Sequence, residues 1–166
     1  MASSSSSIPS GLERLSYGSP DGSIATGLHR EVISEAVATR TLLAEESGAL
    51  CMFDRAAGTV YTLPVPVKGM RFTFSASVTR TSVADTIITS GATVFLLGAY
   101  VALDAAISTS GDVFTGNGSS HVSIVLDGDT KGGLIGGDLE FTALSATVWF
   151  VSGSVVGTGT MATAFV

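Results

Sequence analysis

The sequence predicts an all-β fold, because three features recur along most of its length. Polar and apolar residues alternate over short runs such as residues 59–63 and 70–78, and a period of two is that of a strand with one buried face. Gly, Asn, Asp and Pro separate these runs and are typical of turns. About ten short runs follow one another in this way, which indicates a small β-sandwich or β-barrel.

The first 30 residues predict an extended N-terminal arm, and residues 31–166 predict a single all-β domain. Ser, Gly and Pro dominate residues 1–20, and the few apolar residues there are too widely spaced to build a core. We expect such a segment to adopt a defined conformation only when it binds a partner. We predict that the arm binds its partner through its spaced apolar and basic side chains, which are Ile8, Leu12, Arg14, Leu15, Tyr17, Ile24, Leu28 and Arg30.

Residues 28–43 allow two interpretations. The spacing of the apolar residues fits a helical repeat, in which Glu31 and Glu35 could pair with neighbouring arginines. The many β-branched residues fit an extended strand as well. One helical turn is predicted at residues 44–47, before Gly48.

Residues 51–78 predict three strands, at 51–53, 59–63 and 70–78, arranged as a β-meander. Pro64 and Pro66 cannot donate to a ladder, so they suit a strand end and the connection after it. The stretch contains no pattern of catalytic residues. Its side chains therefore indicate a structural framework.

Strand patterns continue to the C-terminus. The predicted strands are residues 86–89, 92–97, 100–103, 121–126, 139–144, 146–151, 154–156 and 160–166. Tight turns with positive φ are expected around Gly128, Gly132 and Gly133. Phe165 is expected to dock on the core or on a neighbouring subunit.

The chain is poor in charge. Charged residues make up 13% of it, against about 25% in a typical soluble domain, and its mean hydropathy is +0.50. Uncharged surface is either coated by Ser, Thr and Gly or covered by neighbouring subunits, and the second case favours an oligomer or a lattice-bound protein. Eight acids and seven bases precede or include Asp85, and six acids and one base follow it. An acidic C-terminal half that faces solvent and an acidic surface without a partner fit this pattern equally well.

Composition disfavours several functions. There is no basic patch for nucleic acid, and no apolar run approaches the roughly 18 residues of a membrane span. Cys51 is the single cysteine, so neither an intrachain disulfide nor a multi-cysteine zinc site can form, and we expect a buried, inert thiol. Residues 2–7 are mostly serine and do not resemble a signal peptide, which favours synthesis in a reducing cytoplasm.

We expect no enzyme activity, metal or cofactor. His29 and His121 lie far apart in the sequence, and no nucleophile motif accompanies either one. The acids from Asp127 to Asp138 lack the spacing of a calcium loop, so a turn is the better interpretation. Asp138 and Glu140 share one strand face, but solvent-facing acids are a simpler interpretation than a glycosidase pair.

Two blocks of sequence carry a resemblance. The first is FDRAAGTVYTLPVPVKGMRFTF, from Phe53 to Phe74, and a Thr/Ser-rich region follows it. The second is GDLEFTALSATVWFVSG, from Gly137 to Gly153. Versions of both recur in small accessory proteins of tailed-bacteriophage heads, and the chain resembles these capsid decoration or cement proteins over roughly residues 41–153.

The resemblance implies an all-β, tulip-like knob, usually a homotrimer, that binds and stabilises the outside of an icosahedral phage capsid. It also implies an extended lead-in at residues 28–43. The implied partners are the major capsid protein, bound by the arm, and further copies of the chain. The implied location is the virion exterior, after synthesis in the host cytoplasm.

Two other functions remain as alternatives. The first is a phage head-fibre or tail-associated β-module that binds host-surface glycans. We predict that Phe72, Phe74 and Trp149 pack in the core, and a sugar-stacking platform is the alternative interpretation of these rings. The second, a secreted carbohydrate-active enzyme, is disfavoured because neither a signal peptide nor a groove around the acids is indicated.

Overall fold

A computed structural model describes residues 30–34, 37–80, 84–107 and 111–166, and this part of the chain is nearly all β. It contains eleven strands, one 3₁₀ turn (Ala44–Glu46) and no α-helix. The strands are β1 (Val32–Ile33), β2 (Thr39–Thr41), β3 (Leu50–Phe53), β4 (Val60–Thr62), β5 (Arg71–Ala76), β6 (Asp85–Ile88), β7 (Phe95–Asp104), β8 (Gly111–Asn117), β9 (Ser123–Leu126), β10 (Leu134–Ser145) and β11 (Val148–Gly157). The prediction of an all-β fold is confirmed.

The strands form two mixed sheets. One has seven strands in the order β1-β3-β5-β10-β11-β7-β8, and the other has four in the order β2-β4-β6-β9. From β1 to β6 the chain alternates between the sheets, so β3 pairs in parallel with β1 and β5, and β4 pairs in parallel with β2 and β6. The predicted β-meander is therefore wrong. Alternation indicates which face of a strand is buried, but it does not indicate which strand lies alongside.

Side chains from both sheets meet in one core. The Tyr61 ring from the smaller sheet packs edge-on against Phe53 and Phe74 of the larger sheet, with each pair of ring centroids 5.5 Å apart. Trp149 is fully buried, 6.0 Å from the Phe72 ring. Burial of a large apolar side chain contributes about 1.5–3 kcal/mol. The prediction that Phe72, Phe74 and Trp149 pack in the core is confirmed.

Glycines explain why strand boundaries differ from the prediction. Gly98 does not end a strand but lies inside β7 with φ +123°, and a Cβ there would lie 2.2 Å from the carbonyl oxygen of Val151 on β11. Only glycine permits this close approach. The sequence does not predict strand β8, because Gly111, Gly116 and Asn117 are more typical of turns.

The C-terminal segment differs from the predicted strand at residues 160–166. Only Phe165 forms a bridge, with Ile124 of β9, but its ring is buried, so the docking of Phe165 on the core is confirmed. The backbone N–H of Ala164 donates to the Tyr100 hydroxyl oxygen at 2.6 Å. Backbone hydrogen bonds from Ser123 to Val166 and from Val125 to Ala164 place the segment along the edge of β9 that is not paired with β6.

Local predictions are confirmed where the structure describes them. The two short strands β1 and β2 show that residues 28–43 are extended within the described part. The turn at Ala44–Glu46 lies within the predicted helical turn. Gly128, Gly132 and Gly133 have φ of 80°, 85° and 110°.

Candidate interaction surfaces

The acidic residues considered for chemistry serve turns and surface pairs. An Asp127 carboxylate oxygen accepts the backbone N–H groups of Asp129 and Lys131, both at 2.9 Å, so this carboxylate stabilises its own turn. Glu140 lies 3.3 Å from the Arg71 guanidinium in an exposed ion pair. Asp138 is exposed. This arrangement confirms the prediction of a turn at Asp127.

The other features with a bearing on chemistry are metal ligands, a cleft and the single thiol. The described residues contain no cluster of three or more His, Cys, Asp or Glu side chains able to hold a metal. The cleft between Phe53, Leu126 and Val155 has a volume of about 20 Å³, enough for about one water molecule. Burial raises the pKa of Cys51 to about 12, with a smaller contribution from Glu46. The thiol is buried, as predicted.

Strand direction defines two ends of the domain. Six strands begin at the end where Arg30 lies, namely β1, β3, β5, β7, β9 and β11, and the other five, β2, β4, β6, β8 and β10, finish there. We call this the arm end, because the predicted arm joins the domain at this point. The opposite end contains the turn at Asp127.

Charge separates along the strands. In the half next to the arm end, four acidic and four basic side chains balance among the described residues: Glu31, Glu45, Glu46, Glu140, Arg30, Arg40, Lys68 and Arg71. In the other half, the described charges are Asp54, Asp85, Asp104, Asp112, Asp127, Asp129 and Asp138 against Arg55, Arg80 and Lys131. The second half is therefore net negative by four, and we call its end the acidic end.

This separation does not follow the sequence halves. Strand β10, from the acidic second half of the sequence, pairs with β5 from the first half. The interpretation that an acidic C-terminal half faces solvent is therefore wrong as a division of the chain, because the two halves interleave within one sheet.

The arm end presents apolar side chains on a constrained loop. Val65 and Val67 are 66% and 60% exposed between Pro64, Pro66 and Gly69. The Gly69 backbone N–H donates to the Ala143 carbonyl oxygen at 2.9 Å, which ties the loop to β10. The prolines fix their own φ angles. The loop therefore holds two exposed valines in a defined position.

The outward side of β11, β7 and β8 is free of charge, and we call it the uncharged face. Its exposed apolar side chains are Leu97, Val101, Leu103, Val113 and Phe150, each 38% exposed or more. The only charged residues in these three strands are Asp104 and Asp112. Asp104 is buried, and Asp112 pairs with the fully buried Ala102, so both lie on the other side of the sheet.

Of the eight predicted arm residues, the structure describes Arg30. Its guanidinium donates to the Gly48 carbonyl oxygen at 3.0 Å and to the Thr73 hydroxyl at 2.6 Å, so the side chain lies against the larger sheet. The other seven lie outside the described residues: Ile8, Leu12, Arg14, Leu15, Tyr17, Ile24 and Leu28.

The domain contains one buried ion pair among the described residues that the sequence does not predict. Arg80 and Asp85 are both fully buried and bind each other. Burial raises the pKa of Asp85, while the Arg80 guanidinium and the Thr59 backbone N–H oppose that rise. Two opposite charges five residues apart carry no signal of burial in the sequence.

Comparisons with protein-family models, with curated proteins and with solved structures gave no match. None of the described residues belongs to a helix of the length and hydropathy that a membrane span requires.

Proposed function

We propose that this chain is a non-enzymatic virion protein that binds the outside of a phage capsid and stabilises the shell, as a cement or decoration protein. In this proposal the all-β domain is a small β-sandwich knob, tulip-like in shape, and three copies form a homotrimer. The major capsid protein is the partner of the arm. The resemblance of the two sequence blocks to capsid decoration proteins is the reason for proposing a phage capsid as the shell.

The observation that supports this proposal best is the polarity of the domain. The arm joins at an end where charges balance and Val65 and Val67 are exposed, whereas the excess of negative charge lies towards the opposite end. A surface that binds a protein shell favours apolar contacts with few uncompensated charges. A net negative outer end keeps decorated particles apart in solution.

The stabilising mechanism is additive. Each attached knob buries surface on neighbouring coat subunits, so separating those subunits costs the free energy of that contact as well. A standard interface of about 1,600 Å² supports stable attachment. Several arms on one oligomer raise the avidity further, because the second arm binds at a high effective concentration.

The constrained valine loop adds to this attachment. Side chains that are already held in position lose little conformational entropy on binding, so more of the contact energy appears as affinity. The loop between Pro64 and Gly69 therefore supplies a rigid contact beside the arm.

Co-sedimentation with undecorated heads tests the proposal. Full-length protein should sediment with the heads and raise the temperature at which the shells open. Protein lacking residues 1–29 retains the Arg30 bonds to Gly48 and Thr73, so it should melt like the full chain but fail to bind. Absence of binding by the full chain would overturn the proposal, and undiminished binding without the arm would move the contact entirely onto the domain.

No observation favours the alternative of a glycan-binding fibre or tail module. Phe72, Phe74 and Trp149, the aromatic residues considered for a stacking platform, are buried. A sugar would need an exposed ring face.

A further inference from the structure

The uncharged face differs from the rest of the same sheet. On β10 and β5, the outward positions include Asp138, Glu140 and Arg71, whereas β11, β7 and β8 have no charged side chain pointing outward. Val113 is 65% exposed and lies directly opposite Val101, itself 39% exposed. An apolar centre without charge is the composition of the buried part of a protein interface.

We propose that the uncharged face is the surface through which copies of this chain associate. This inference rests on the proposed function, because the proposed homotrimer makes a second copy of the chain the partner expected at this face. It assigns the contact to Leu97, Val101, Leu103, Val113 and Phe150.

The size of the face fits such a contact. Strand β7 has ten residues, so at about 3.4 Å per residue and about 4.8 Å between strands the face measures roughly 34 Å by 14 Å. Two copies would together bury on the order of 1,000 Å², which is the lower bound for a specific interface. The face is therefore large enough for a contact between copies of this chain.

Charge also favours a second copy. The chain carries a formal net charge of −6, so two copies repel each other, and the repulsion is weakest where the contact excludes acidic side chains. The uncharged face meets this condition. The face also reaches the edge of the sheet, because β8 pairs with only one strand, β7, among the described residues.

The orientation of the face agrees with attachment to a shell. The face runs along the strands, and the arm end and the acidic end lie at right angles to it. Copies related by a rotation axis parallel to the strands would place every arm end on the same side. Such an oligomer can present all its arms to one surface.

The first test is the oligomeric state of full-length protein carrying Val113→Glu, with Val65→Glu as the matched control. Val65 is 66% exposed and lies in the loop between β4 and β5, so it is not part of the uncharged face. V113E should raise the dissociation constant of the oligomer more than about tenfold, so that light scattering at micromolar concentration reports the mass of one chain. V65E should keep the mass of the wild type. A monomeric wild type, or a V113E oligomer of unchanged mass, would overturn the proposal.

Thiol reactivity gives a second test that does not need the oligomer to dissociate. In a V113C variant the new thiol should react with a thiol reagent more slowly as the protein concentration rises, while the thiol of V65C should react at one rate throughout. Cys51 is buried and gives little background. Equal rates for V113C at every concentration would count against the contact.

The same measurements also test whether the arm of the same chain, and not a second copy, covers the uncharged face. Protection of the V113C thiol that is independent of concentration, and is lost when Ile8, Leu12, Leu15 and Tyr17 are replaced by serine, would assign the face to the arm and overturn the proposal.

Failure of this inference and failure of the proposed function are separable. If wild-type protein binds heads while V113E keeps its mass, the surface is wrong and the function stands. If V113E dissociates while wild-type protein does not bind heads, the surface is right and the function is wrong.

Discussion

The Arg80 guanidinium and the Asp85 carboxylate bind each other with both side chains fully buried. Asp85 also accepts the Thr59 backbone N–H at 2.8 Å, so one carboxylate joins β6 to the residue before β4. The Arg80 Nη1 and Nη2 atoms are buried without a hydrogen-bond partner among the described residues. The guanidinium therefore depends on Asp85 for its charge compensation.

Asp85→Asn should destabilise the domain by about 3–5 kcal/mol, because it leaves a buried guanidinium without its counter-charge. The double variant Arg80→Met, Asp85→Leu should cost less than Asp85→Asn, since it removes both charges and fills the same space. Chemical denaturation of the three proteins measures the free energies of unfolding. A double variant that is less stable than the single variant would contradict this account of the pair.

Tyr100→Phe should destabilise the domain by about 1–3 kcal/mol, because the buried Ala164 backbone N–H would lose its acceptor. The ring itself is retained, so its contact with Phe165 at 5.2 Å between centroids is unaffected. Thermal melts of the two proteins measure the difference. Hydrogen exchange should rise first at Ala164, and an unchanged exchange rate there would exclude the proposed role of the hydroxyl.

Gly98→Ala should cost well over about 1 kcal/mol, since it combines a positive φ with a Cβ placed 2.2 Å from the Val151 carbonyl oxygen. Gly91→Ala is the matched control, because a Cβ there meets nothing within 4 Å. Its stability should stay within about 0.5 kcal/mol of the wild type. Equal stability of the two variants would show that β7 and β11 are not paired at Gly98.

The Cys51 thiol should be unreactive in the folded protein at pH 8. Its pKa is raised from 9.0 to about 12, and the thiolate is the reactive form. The folded state therefore favours the protonated thiol, so this contribution to stability is complete below pH 9 and falls as the pH rises towards 12. A thiol reagent should modify the chain fully in denaturant and not in buffer, and full modification in buffer would contradict the burial of Cys51.

Val65→Glu and Val67→Glu should weaken binding to undecorated heads, because a charge would enter the apolar contact at the arm end. Ile135→Glu is the control, since Ile135 is 55% exposed at the opposite end of the domain. All three proteins should melt within a few degrees of the wild type. Equal binding by all three would place the shell contact away from the valine loop.

How much of this structure the sequence predicts depends on the kind of interaction. The buried faces of β4 and β5 are predicted correctly, because alternation reports burial directly through residues such as Tyr61, Phe72 and Phe74. Their neighbours are not predicted, because parallel and antiparallel partners bury the same side chains. Strand β8 is not predicted, because its glycines and asparagine have low strand propensity. Its pairing with β7 stabilises it as a strand all the same.

The sequence predicts that the domain has an uncharged surface, but it does not predict where that surface lies. Low charge predicts an uncharged surface, either coated by Ser, Thr and Gly or covered by a partner, but it does not say which residues form that surface. In the sequence, Leu97, Val101 and Phe150 look like core residues. Their exposure, together with the register of β7 and its neighbours, shows that they point outward. The contact that the arm makes is not predictable from the sequence either, because it depends on the surface of a partner.

A cryo-electron microscopy map of the parent particle tests the central proposal most directly. It should show the domain on the outside of the capsid, with Val65 and Val67 towards the coat subunits, Asp127 and Asp129 towards solvent, and copies in contact through Val113. A domain bound with its acidic end against the shell, or a chain found elsewhere than on the capsid exterior, would contradict the proposal.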